Sequence, residues 1–401
     1  MMITASALRR PGLRTVHRSS FAAFTQKGFR LFFLLAALYA SCLVPVWLLV
    51  LAGKLRLASS LDPTLWHAHE MLFGYAAAVI AGFLLTAASR WSSRETAVGG
   101  WLTALVVLWL GGRIALFLPL PAAFGAAIDL LFMPALAVAV GQAIVLAKNR
   151  RNYAIVAMIL LLAVANTLLQ LGALGVLPGW DRRGLYFGLD VVVLMMVVIG
   201  GRVIPMFTRN ATGDARVHSS ARVDVCAALL CLAAALARLA GAANGIVALL
   251  SGAAAIALVV RSRSWGAWVS RREPLLWILH AGNAFIALGL GLRASSFWFP
   301  SLVSSATHAL TAGAIGCLTL GMMSRVSLGH TGRLIVASRA TRVAFCSMVL
   351  AALLRVAAPL APAVYLKSLS VAGALWALSL LLFVVEYWPV LSRPRADGTP
   401  G

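Results

Sequence analysis

The chain contains about 12 stretches of roughly 20 predominantly apolar residues, separated by short polar links, and this pattern leaves few folds open. In hydrocarbon every backbone N–H and C=O must find a partner within the chain, so such stretches become helices. They fall near 29–53, 67–89, 99–119, 121–147, 153–177, 184–206, 223–243, 244–260, 274–293, 301–327, 341–358 and 361–388. Composition agrees: 62% of the residues are hydrophobic and 11% charged, about half the charged fraction of a soluble domain. The expected fold is an all-α polytopic membrane bundle. A basic arm (1–28) precedes the helical region (29–390), and a short tail (391–401) follows it.

The net charge of +23 would suit a nucleic-acid binder if it lay on one soluble face. Instead it alternates between connections. Arg90 and Arg94, then Lys148, Arg150 and Arg151, then Arg261, Arg263, Arg271 and Arg272 fall in every second link. With the arm, the tail and the other links of that side, they make 25 of the 34 Lys and Arg residues. Lys/Arg excess marks the cytoplasmic side, so both termini are expected inside. Nucleic acid is not an expected partner; the lipid bilayer is. The basic arm has no short apolar run ending in a small-residue cleavage site, so it reads as a cytoplasmic arm. Five scattered cysteines without a Cys-x-x-Cys pair argue against disulfides, zinc ribbons, iron–sulfur sites and covalent haem attachment.

Five histidines lie in or at the ends of apolar stretches: His67, His69, His280, His308 and His330. Ionisable groups inside a membrane are costly, and imidazole is a common ligand of haem iron and copper. Asp62-Pro63 is a helix start, and the following Trp66-His67-Ala68-His69-Glu70 opens the second span. At about 100° per residue, His67 and His69 project roughly 160° apart and face different partners. The same periodicity puts Glu70 with His67 and Phe73 with His69. His308 and His330 are 22 residues apart on the tenth span, ~33 Å along a helix, and belong to different depths. An outer polar layer is therefore expected from His67, His69, Glu70, Asp129, Asn166, Asp190 and His308, with Arg113, Arg238, Arg293 and Arg355 nearby. An inner layer would gather His280, His330, Arg202, Arg209 and Arg325. His67, His69 and His308 are the metal candidates, and His280 with His330 form a second cofactor-binding pair. Glu70, Asp190 and Arg202 are candidate partners that orient those ligands.

Three stretches then carry a resemblance. They are Trp66 to Tyr75 (WHAHEMLFGY), Gly200 to Asn210 (GGRVIPMFTRN), and His308 to Gly316 (HALTAGAIG) continuing through Met322-Met323-Ser324-Arg325 to Gly329-His330-Thr331-Gly332-Arg333. Across roughly 25–390 the chain resembles the NnrS family. That resemblance implies a bacterial inner-membrane protein that contains haem b and copper and is linked to nitric oxide or nitrosative stress. Nitric oxide, or a related small molecule, is the partner it implies. Binding without turnover and redox turnover of nitric oxide are both compatible with these residues, and the electron donor is open. A second reading is a polytopic transporter of a small molecule or metal, using the intramembrane polar site.

Overall fold

The computed structural model describes residues 24–399 except 116, 117 and 119; most of the basic arm lies outside that range. Each apolar stretch is a helix, and no strand occurs among the described residues. In chain order they are α1 (Gly28–Leu51), α2 (Pro63–Ser92), α3 (Gly99–Ala115), α4 (Ala122–Leu146), α5 (Tyr153–Ala173) and α6 (Trp180–Thr212). There follow α7 (Ala221–Leu239), α8 (Asn244–Ser262), α9 (Pro274–Ser295), α10 (Leu302–His330), α11 (Arg339–Ala357) and α12 (Tyr365–Ser392). Among the described residues, ten of these are long and apolar enough to cross a membrane. Of the other two, α3 is 17 residues long, and α7 carries Arg222, Asp224 and Arg238. The protein is a multi-pass helical membrane protein.

Local chemistry explains the ends and bends. The Asp62 carboxylate accepts hydrogen bonds from the backbone N–H groups of Thr64 and Leu65, both at 3.0 Å, with Pro63 in the first turn of α2. The helix α4 is interrupted at Leu131, three residues before Pro134. Proline has no N–H to give the carbonyl of residue 130, so the ladder loosens there. Asp129 sits just before that interruption.

Successive helices pack as antiparallel neighbours, and α12 returns against α1 to close the bundle. The interior belongs to α2, α6 and α10, which are 78%, 72% and 72% buried over their most apolar stretches, against 33% for α1 and α8. These three central helices carry the three sequence motifs singled out above.

Two of them contain a π-helical turn: Glu70–Ala76 in α2 and Ala309–Ile315 in α10. Each opens immediately after a histidine, His69 in one case and His308 in the other. A π turn admits an extra residue and shifts the face that later side chains present. Regular 100° spacing therefore fails for the residues that follow Glu70 in α2 and Ala309 in α10.

Candidate functional site

A cavity of about 530 Å³ lies between α1, α2, α6, α10, α11 and α12. That volume is within the range of sites for small molecules and cofactors. Its wall is mainly aliphatic and aromatic, and the polar groups on it are few and of definite kinds. His67 comes from α2, His308 from α10, Arg182 from α6 and Arg355 from α11. Both imidazoles and the Arg355 guanidinium are near enough to interact electrostatically.

The two histidines are held differently. The His308 Nδ1–H donates to the Ser304 carbonyl at 2.8 Å, one turn back on its own helix. That bond leaves Nε2 as the basic nitrogen, the arrangement common to metal-binding imidazoles. The His67 ring stacks on Trp47 with centroids 4.6 Å apart and planes 8° from parallel. Its Nδ1 is buried without a hydrogen-bond partner, as are Arg355 Nη1 and Trp376 Nε1. All three of these residues line the same cavity. Buried polar atoms in native proteins are nearly always paired, so three unpaired ones around one hollow point to a polar ligand there.

His69 faces the other way, into a solid cluster with no cavity. Its Nδ1 meets Glu70 Oε1 at 2.9 Å, and its Nε2 meets Asp129 Oδ2 at 3.0 Å. Both ring nitrogens are thus engaged by carboxylates. Arg113 spans the same two acids: its Nε lies 2.9 Å from Glu70 Oε2, and its Nη2 pairs with Asp129 Oδ1. Tyr39 donates to Glu70, while Asn166 and Gln170 donate to Asp129 at 2.8 and 3.0 Å. Every ionised group in this knot is 5% exposed or less. Two glycines make the space. A Cβ on Gly74 would lie 2.9 Å from both Glu70 Oε2 and the Tyr39 ring, and one on Gly112 would lie 3.0 Å from the Asp129 backbone.

The histidines of this polar layer thus divide between a cavity lined by His67 and His308 and a knot around His69. A family model described as NnrS protein matches residues 23–395, nearly the whole chain. The chain belongs to the NnrS family. No curated protein matches it. In this NnrS protein the motif residues Trp66 to Tyr75 build one side of the cavity and the heart of the knot, and His308 closes the cavity from α10.

The other candidates in the NnrS chain are placed apart from this pair. His280 contacts the Thr208 hydroxyl at 3.0 Å on α6. His330 lies at the far end of α10 from His308, with its ring 5.7 Å from Phe29 and its carbonyl bonded by Arg395. The structure gives His280 and His330 separate neighbours. Asp190 pairs with Arg293 at 2.7 Å and Arg238 at 3.4 Å. Arg202 donates to Asn152 at 2.8 Å. Neither Asp190 nor Arg202 bonds a histidine among the described residues. Glu70 does orient a histidine, but it is its chain neighbour His69 and not His67.

Trp47, Arg182 and Trp376 were not singled out by sequence reasoning. Each is an ordinary aromatic in an apolar run or an arginine in the first turn of a helix, and nothing local distinguishes it.

Proposed function

We propose that this NnrS protein holds haem b in the 530 Å³ cavity and uses it to bind or process nitric oxide in a bacterial inner membrane. The observation that carries the reading is the pair of imidazoles on one cavity wall, accompanied by the unpaired Arg355 Nη1 and Trp376 Nε1. The donor set fits the group: imidazole for iron, and the Arg182 and Arg355 cations for the two anionic propionates. Bound haem would supply an iron centre with affinity for nitric oxide.

The chain's own residues divide the work. His308 would be the fixed ligand, because the Ser304 carbonyl holds its ring and tautomer. His67 would be the displaceable one, because its Nδ1 has no such tether and its ring is steadied by stacking on Trp47. The aliphatic walls would keep water from the bound group. His69 is not assigned to the metal, since both its nitrogens are engaged.

Copper, the other cofactor implied by the resemblance, has no comparable site. Among the described residues no group of three or more His, Cys, Asp or Glu is arranged to hold a metal ion. We draw no step through it. A transporter would be favoured by broken helices in repeated positions. In contrast, α2 and α10 run continuously through their π turns. Purified protein in detergent should show a Soret band and about one iron per chain at this site. Protein with full membrane insertion but no Soret absorption and no iron would defeat the reading.

A further inference from the structure

A second hollow, of about 90 Å³, lies between α2, α6, α9 and α10, and its wall is almost wholly apolar. Ala76, Val192, Met195, Met196 and Met322 line it, and Ile315 lines both this hollow and the large cavity. Ile315 is the last residue of the π turn that begins after His308, and its side chain is buried. Of the residues that line it, Phe83, Met196, Val203 and Met322 are partly exposed, and all lie within membrane-spanning helices.

The wall has one hydroxyl, that of Thr319, and it is already bonded to Tyr75 at 2.7 Å and to the Ile315 carbonyl. A polar or charged solute would therefore lose its hydration and find nothing in return. Size narrows the choice further. An apolar cavity of ~150 Å³ takes benzene or xenon and stays dry. A hollow of 90 Å³ suits a smaller occupant, a diatomic gas or a single xenon atom. Gases of that kind are neutral and apolar, and they concentrate in the hydrocarbon that surrounds membrane-spanning helices.

We propose that this hollow is a lateral gas port. A neutral diatomic of the nitric oxide class enters from the bilayer interior, rests among Val192 and the three methionines, and passes Ile315 into the large cavity. The port rests on the reading that nitric oxide meets its binding centre in that cavity.

The test uses the full-length protein in detergent, with xenon as the probe. Xenon under pressure should occupy the hollow in the crystal. Met196→Trp, placed at the partly exposed mouth, should abolish that xenon site. It should also slow nitric oxide rebinding after flash photolysis by about tenfold while the Soret spectrum stays unchanged. Val192→Ala, which widens the hollow from within, should raise xenon occupancy and speed rebinding. Xenon absent from the hollow would overturn the port whatever the haem content. So would a haem-replete Met196→Trp protein that rebinds nitric oxide at the unaltered rate. The haem reading fails separately, on a missing Soret band, and the xenon measurement does not depend on it.

Discussion

Asp129→Asn is the most discriminating single substitution in the His69 knot. The carboxylate is 3% exposed and receives contacts from His69, Arg113, Asn166 and Gln170. Asparagine keeps the shape and one acceptor oxygen but removes the charge. Arg113 would then have Glu70 as its only anionic partner, at 2.9 Å, and His69 would lose one of its two carboxylates. Breaking a buried ion pair from one side costs about 3–5 kcal/mol, because the other charge stays buried and under-compensated. At ~1.4 kcal/mol per decade, that is roughly two to three and a half powers of ten in the unfolding constant. The assay is equilibrium unfolding of the purified protein in mixed micelles of increasing dodecyl sulfate content, followed by tryptophan fluorescence. Two controls sharpen it. Arg113→Met combined with Asp129→Asn removes one charge of each sign and should cost less than the sum of the single changes. Bound haem per folded chain should stay constant, because no side chain of the knot lines the cavity. If Asp129→Asn unfolds within about 0.5 kcal/mol of the unsubstituted protein, the knot is not the buried charge network described above.

Other outcomes follow from the same geometry. His308→Ala should remove most bound haem, and His67→Ala should keep part of it with an altered Soret maximum; equal and full haem retention in both, by pyridine haemochrome, would exclude the cavity as the haem site. Reporter fusions after Asp62 and Asp181 should read as periplasmic and those after Arg94, Arg150 and Arg272 as cytoplasmic, and an inverted pattern would overturn the orientation taken from charge. Gly74→Ala should lower thermal stability, because its Cβ would meet Glu70 Oε2 and the Tyr39 ring at 2.9 Å; an unchanged melting temperature would show that the knot has slack. In the link after α6, hydrogen bonds from Arg216 hold the Asp214 carboxyl down at about 2. A depressed carboxylate stabilises above its ordinary range and loses that contribution only as pH falls toward the lowered value. Asp214→Asn should thus shift the melting temperature equally at all pH values between about 5 and 8, and a shift that varies across that window would contradict the assignment.

Much of this architecture is legible without coordinates. The positions of the helices, the Asp62-Pro63 start of α2 and the separation of His308 from His330 along α10 follow from local rules. So does the opposite projection of His67 and His69, which sends one to the cavity and the other to the knot. These features depend on burying side chains in hydrocarbon and on helix geometry, and both act within one segment of chain. Partner choice between segments is a different matter. That Asp129 of α4 and Asn166 of α5 meet His69, while Asp190 of α6 instead meets Arg238 and Arg293, depends on which helices lie side by side. So do the cavity itself, the stacking of Trp47 on His67, and the small hollow beside Ile315. The π turns after His69 and His308 leave no clear mark in the residues either. Within a membrane, lipid tails are as apolar as leucine, so burial supplies no force that selects one helix neighbour over another. Close packing and buried polar pairs make that choice, and both come into being only when the helices assemble.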